Sequence, residues 1–329
     1  MEPRDGPLTR VTPSPDPVPA GRFAPSPTGP LHVGNLRTAV LAWLFARSTG
    51  DAFVLRIDDL DRVASRDEHV RDHIADLAAL GIDWDGQAVR QSDRFDRYEA
   101  ALDHLAADGL LYPCYCTRRE VRAAVSAPHG PSPEGAYPGT CRDLTAAERA
   151  AREAEGRRPS WRVRARGEWV EVVDRLRGRF AGVIDDFVVR RADGAPAYQV
   201  AVVVDDHDQG VAEVVRGDDL LDTTPRQVWL ARRLGLTVPG YAHVPLVLGP
   251  DGQRLAKRHG AVTLGDLRGR GDGPQAILGA MAASLGLADS GMPVGSVRDL
   301  LAVFDPDRLP SGAWRFDPAT VRDRRAAGV

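Results

Sequence analysis

Arg22-Phe23-Ala24-Pro25-Ser26-Pro27-Thr28-Gly29-Pro30-Leu31-His32-Val33-Gly34-Asn35 is the stretch on which the fold turns. Residues 21–24 read as a short strand that runs into a turn rich in Pro and Gly. From 36 to 46 apolar residues recur at helical spacing. The pattern is strand, glycine-bearing turn, helix. His32 and Gly34 fall where the helix begins. Free backbone N–H groups and the helix dipole favour phosphate there, Gly34 would let a nucleotide approach the backbone, and His32 can donate to phosphate oxygens. A His and a Gly at a helix start serve equally well for capping and packing, so their neighbours must decide.

Outward from this stretch, Phe53, Val54, Leu55 and Ile57 form a second compact apolar run. Acidic Asp58, Asp59 and Asp61 follow, then a helical pattern over 67–80. Strand-like runs return at 187–190, strongly at 198–204, and again at 211–215 and 243–248. Strands alternating with helices imply an α/β fold, a Rossmann-type parallel sheet covered by helices. The expected organisation is a flexible extension over 1–19, the first half of the α/β domain over 20–111, and an inserted module over 112–185. The second half follows over 186–264, then a short, mostly helical region over 265–329, too short for a large further domain.

At 329 residues, 43% hydrophobic and 27% charged, the chain can bury a sizeable core, and no apolar run approaches the about 20 residues of a membrane span. No membrane partner is expected. The first residues carry Pro, Asp and Arg without a secretory apolar core, so the cytoplasm is the expected compartment. A net charge of −3 excludes a polycation, and any RNA contact must be local. Three cysteines cannot form a paired disulfide set, which points to a reducing compartment or a metal.

Three further groups carry candidate chemistry. Gln253-Arg254-Leu255-Ala256-Lys257-Arg258 follows a Gly-Pro-Asp-Gly turn and forms a cationic loop able to close over polyphosphate, or simply a solvated one. Arg56-Ile57-Asp58-Asp59-Leu60-Asp61 ends the second strand, where the crevice of an open α/β sheet lies. A carboxylate there can hold an amino group or cap the next helix. Cys114-Tyr115-Cys116 with Tyr137 and Cys141 offers three thiolates and a phenol in a loop-rich module. That spacing fits a four-ligand zinc or small buried cysteines alike, and His129 is a competing ligand.

In combination these motifs resemble the class I aminoacyl-tRNA synthetases in their glutamyl form. The first segment is similar to their HIGH signature and 254–258 to their KMSKS loop. In that loop Arg254, Ala256 and Arg258 depart from the pattern and Lys257 keeps the position used on ATP. The resemblance implies ATP contacts from His32, Gly34, Asn35, Arg254, Leu255, Ala256, Lys257 and Arg258, with His32 and Lys257 catalytic and Mg2+ accompanying ATP. It implies a glutamate pocket of Arg22, Phe23, Ala24, Pro25, Ser26, Asp58, Tyr198 and Arg216. Asp58 stands where the family has a Glu. Arg22 and Arg216 would supply two guanidinium forks for a dicarboxylate, although a buried Arg can also be a structural ion-pair member.

The cysteine module is similar to that of glutamyl-queuosine tRNA(Asp) synthetases, which implies a structural zinc on Cys114, Cys116, Tyr137 and Cys141. Two departures from ordinary glutamyl synthetases agree with that branch: the short region after Leu264, and Val202 where they commonly carry Asn. The resemblance then implies activation of L-glutamate by ATP and transfer to the queuosine base at the wobble position of tRNA(Asp), by a monomer. A compact glutamyl-tRNA synthetase charging a tRNA 3′ end, an inactive amino-acid or RNA-binding paralogue, and a generic nucleotidyltransferase stay open. Arg157, Arg158, Arg162, Arg164 and Arg166 are candidates for tRNA phosphate contacts, diluted by Glu153, Glu155 and Glu168 into what is as well read as a salt-bridged surface.

Overall fold

The computed structural model describes residues 18–125, 137–253, 255, 262–290 and 294–321. β1 (Ala20–Phe23) and α1 (Val33–Ser48) form the strand and helix of the opening stretch. Gly21 is required where they meet, because a Cβ there would lie 2.7 Å from that of Ala46 on α1. Most of the circumference of α1 is buried, so its sequence is apolar nearly all round. Trp43 satisfies its buried indole N–H on Asp83 at 2.9 Å. β2 (Ala52–Ile57), α2 (Asp67–Ala79), β3 (Val89–Arg90) and α3 (Phe95–Ala107) follow, and β1, β2 and β3 pair in parallel.

The character then changes, as the composition shift at Tyr112 suggests. β4 (Leu111–Cys114), α4 (Arg118–Val125), α5 (Ala146–Ala154) and β5 (Ser160–Val163) lead into the hairpin of β6 (Trp169–Asp174) and β7 (Gly178–Val183), and then β8 (Val188–Arg190). β4, β5 and β8 make a separate antiparallel sheet. The hairpin instead joins the main sheet, through β10 below.

α6 (Tyr198–Asp208), β9 (Glu213–Gly217), α7 (Thr224–Arg233) and β10 (Gly240–Val244) resume the α/β pattern. β9 pairs in parallel with β10, and β10 with β6. A parallel bridge from Ala20 to Val211 joins the two halves, flanked by hydrogen bonds from Ala20 N to Gly210 O at 3.0 Å and from Ala212 N to Ala20 O at 2.8 Å. The resulting order is β3-β2-β1-β9-β10-β6-β7. The halves diverge between β1 and β9, and a crevice forms at the carboxyl ends of these two strands, the usual ligand position in open α/β sheets.

One expectation fails here. The run 198–204 reads as a strand and is the first part of α6. Val200 to Asp206 are all buried, so the run shows no polar face from which a period can be read, and a continuous apolar stretch fits either element. The element continues through Asp205 and Asp206, whose carboxylates are held by Arg94 and Arg56, and eleven residues is a helix length.

β11 (Val247–Leu248), α8 (Leu264–Gly269), α9 (Pro274–Ser284) and β12 (Trp314–Arg315) complete the described α-helices and strands. β12 pairs in parallel with β11, and Phe316 N donates to Leu248 O at 2.9 Å, so the C-terminal region adds a strand beside the crevice as well as helices. Among the described residues no helix is long and apolar enough to cross a membrane.

Candidate functional site

The crevice between β1 and β9 encloses about 540 Å3. Arg22, Phe23, Ala24, Pro25, Ser26, His32, Gly34, Asn35, Tyr198, Arg216 and Leu255 all line it, although they come from opposite ends of the sequence. His32 is the N-cap of α1. Its Nδ1 accepts from Gly34 N at 3.0 Å and Asn35 N at 3.3 Å, while Asn35 Oδ1 accepts from His32 N at 3.2 Å. An accepting Nδ1 leaves the proton of a neutral ring on Nε2, the donor a phosphate oxygen needs.

This geometry corrects the reason given for the helix start. Its backbone donors are already committed: Gly34 N and Asn35 N to His32, and Val33 N to Val262 O at 3.0 Å. Gly34 is small for the sake of His32. A Cβ at that position would come within 2.9 Å of the imidazole.

Arg22 and Arg216 are 5% and 4% exposed. Arg22 donates to Val215 O at 3.1 Å, which ties the two strands together, and its Nε faces Asp206 at 3.5 Å. Arg216 spends Nε on His243 Nε2 at 3.0 Å and Nη2 on Thr224 Oγ1 at 2.8 Å. Its Nη1 is buried without a hydrogen-bond partner. Burial, with Arg22 nearby, lowers the guanidinium pKa of Arg216, so the site stabilises an added anion.

Asp58 lies apart from these groups. It opens to an adjoining cavity of about 1020 Å3, which Ser26, Thr28 and Tyr198 share with the crevice. Arg56 Nε donates to its Oδ1 at 2.8 Å, and Arg56 Nη1 to Asp206 Oδ1 at 2.6 Å. Burial pushes the Asp58 carboxyl up to about 6 against the pull of Arg56. Asp59 and Asp61 take the plainer roles. Asp59 accepts from Ser92 N and Oγ at 2.8 and 2.9 Å, and Asp61 from the turn N–H groups of Val63 and Ala64 at 3.1 Å.

The same cavity reaches Cys116. Cys114, Cys116 and Cys141 bring their Sγ atoms within 4.8 Å of one another, with Cys116 and Cys141 3.5 Å apart. Thiolates on a tetrahedral zinc stand about 3.8 Å apart, given a Zn–S bond of about 2.3 Å. Tyr137 Oη lies beside these sulfurs, 3.3 Å from Cys114 Sγ and 3.7 Å from Cys116 Sγ, and accepts from Cys141 N at 2.9 Å. The donor set fits zinc. His129 lies outside the described residues, as do Arg254, Ala256, Lys257 and Arg258. The described flanks of that loop are both anchored at the crevice: Leu255 lines it, and Val262 O accepts from α1.

The arginines of the module are mostly engaged. Arg157 pairs with Glu120 and Glu155, Arg162 lies 3.7 Å over the Tyr137 ring, and Arg164 4.8 Å over Tyr112. Glu168 is held by Arg233.

The family model "tRNA synthetases class I (E and Q), catalytic domain" matches residues 20–318. The chain belongs to that family. Among its relatives, the glutamyl-Q tRNA(Asp) synthetase of Nocardia farcinica is 59% identical over 295 residues, covering 90% of this chain and 92% of the relative. The glutamyl-Q tRNA(Asp) synthetase of Symbiobacterium thermophilum is 52% identical over 92% of this chain and 97% of its own. In shape the synthetase matches a crystal structure of a glutamate tRNA ligase from Elizabethkingia meningosepticum in complex with its amino acid, with a TM-score of 0.77 and 27% identity. That match covers 92% of this chain and 68% of the other.

Sequence reasoning missed Asp206, which faces Arg22; Thr224 and His243, which hold Arg216; Asp174, which holds His243; and the pairing of Arg56 with Asp206. Asp205-Asp206 after an apolar run was the visible signal, masked by reading that run as a strand. Asp174 carried none, because its partner is 69 residues away.

Proposed function

We propose that the chain activates L-glutamate with ATP and transfers the glutamyl group to the queuosine base at the wobble position of tRNA(Asp). The observation that carries the substrate is the pair of buried guanidinium groups, Arg22 and Arg216, one with an unspent Nη1, beside His32 in a single crevice. Two cations in a water-poor site suit a dicarboxylate, and glutamine would leave one without a charged partner. The acceptor rests on the relatives named glutamyl-Q tRNA(Asp) synthetase.

In the first step the α-carboxylate of glutamate forms a bond to the α-phosphorus of ATP, and the bond from that phosphorus to the bridging oxygen breaks. Pyrophosphate leaves with the electron pair. In the second, a hydroxyl of the cyclopentenediol attacks the adenylate carbonyl, loses its proton, and AMP leaves. The protein's contribution is positioning and charge stabilisation. His32 Nε2–H and Lys257 serve the phosphate oxygens with the loop residues Arg254, Leu255, Ala256 and Arg258, while Gly34 and Asn35 act through the His32 ring they hold in place. Arg22, Arg216 and Tyr198 hold glutamate against the backbone of Phe23 to Ser26. Asp58, fixed by Arg56, faces the amino-group side. Mg2+ neutralises polyphosphate charge when bound with ATP.

Cys114, Cys116, Tyr137 and Cys141 would hold a structural zinc, since all four corners are protein groups. It would brace the module over 112–185 between the two halves at 20–111 and 186–264, with 1–19 as an extension and 265–329 as the C-terminal region. A cytoplasmic monomer, where tRNA and ATP are at hand, completes the proposal.

Glutamate-dependent exchange of pyrophosphate into ATP tests the first step. Nuclease digestion of the labelled product tests the second: label on the anticodon fragment supports the reading, and label on the 3′-terminal adenosine overturns it.

A further inference from the structure

Asp174, His243 and Arg216 stand in a row across three neighbouring strands. β6, β10 and β9 are adjacent in the sheet, and His243 is the register partner of Arg216. Asp174 and His243 are 2% and 0% exposed. Asp174 Oδ2 accepts from His243 Nδ1 at 2.6 Å, and His243 Nε2 accepts from Arg216 Nε at 3.0 Å. The second contact needs a lone pair on Nε2, so the proton of His243 must sit on Nδ1, facing the carboxylate.

We propose that Asp174 and His243 are positioning residues that fix the Arg216 guanidinium at the wall of the crevice, and thereby set the affinity for glutamate. The inference rests on the reading of Arg216 as a substrate-carboxylate ligand. The guanidinium is planar, so holding Nε and Nη2 fixes the direction of Nη1. His243 holds Nε, and Thr224 holds Nη2. The carboxylate of Asp174 is itself fully spent. Its Oδ1 accepts from Leu176 N at 2.9 Å and Arg177 N at 2.8 Å, and its Oδ2 also accepts from His243 N at 3.1 Å. That turn locks the carboxylate, which locks the imidazole tautomer, which locks the arginine.

The test is Asp174→Asn. The backbone donors of Leu176 and Arg177 keep the amide oxygen on their side and so turn the amide N–H2 toward His243. An imidazole facing a donor must accept at Nδ1 and carry its proton on Nε2, which sets two N–H groups against each other at Arg216. The volume of the side chain is unchanged. The expected result is a rise of about tenfold or more in KM for glutamate in pyrophosphate exchange, with KM for ATP within about twofold.

His243→Leu, which removes the acceptor, gives the same split, and His243→Gln, which can present an oxygen to Arg216 Nε, recovers part of it. Independently of any variant's fold, the 15N spectrum of the imidazoles in the wild-type enzyme, assigned by loss of one pair of signals in His243→Gln, shows a protonated Nδ1 and an unprotonated Nε2. An Nε2–H tautomer in the wild type, or an unchanged glutamate KM in a folded Asp174→Asn protein, overturns the proposal. Absence of glutamate-dependent exchange in the wild type would instead overturn the functional reading beneath it.

Discussion

Replacing Arg216 by Lys tests the carboxylate site most sharply, because it keeps the charge and removes the fork. The native guanidinium uses Nε on His243 and Nη2 on Thr224, and its buried Nη1 has no protein hydrogen bond. A single ammonium cannot satisfy the two protein acceptors and reach into the crevice as well. Truncating one partner of a buried, hydrogen-bonded charge pair costs about 2–5 kcal/mol, and the retained charge places Lys near the lower middle of that range, at about 3 kcal/mol. At about 1.4 kcal/mol per decade this is about a hundredfold. In pyrophosphate exchange at saturating ATP, KM for glutamate should rise by about that factor while KM for ATP stays within about twofold. A glutamate KM raised less than about threefold in a folded variant would refute the assignment of Arg216 to the substrate carboxylate.

Gly34→Ala should displace the His32 imidazole that a Cβ would meet at 2.9 Å, costing about 1–2 kcal/mol through the lost cap and raising KM for ATP. Urea denaturation and exchange kinetics measure the two effects. Purified protein should carry zinc, and Cys116→Ala should lose it together with thermal stability. Elemental analysis and melting with a chelator check this, and a zinc-free protein indifferent to chelator would contradict it. Asp58 gives a pH signature. Its folded carboxyl titrates near 6 against 3.8 for the free group, so between those values the unfolded chain releases its proton first and stability falls as pH rises through the window. Asp58→Asn should flatten that slope in urea melts taken across pH 4–6, and an unchanged slope would contradict the buried-carboxyl account.

The strand-turn-helix of β1 and α1 was legible because a Pro- and Gly-bearing turn separates the two elements and the apolar run of α1 is too long for a strand, and the parallel α/β plan followed from repetition of that unit. The crevice residues were legible as sequence words, Arg22 to Asn35 above all, since local order alone brings His32 to the helix start. What stayed hidden is what distance conceals. α6 buries Val200 to Asp206 on every side and so erases the period that separates helix from strand. The Arg56–Asp206 pair spans 150 residues and the Asp174–His243 pair 69, and no local pattern announces either. The role of Gly34 was misread for a related reason: the neighbour that needs the space is the imidazole two residues back, which is visible only once the ring's direction is known.

The central claim is glutamylation of a modified anticodon base. The most direct measurement is transfer of radiolabelled glutamate, with ATP, by the purified chain to queuosine-containing tRNA(Asp), to the same tRNA bearing guanine at the wobble position, and to tRNA(Glu). The account predicts label on the queuosine-bearing tRNA alone. Label on tRNA(Glu), or equal label on the guanine form, would contradict it.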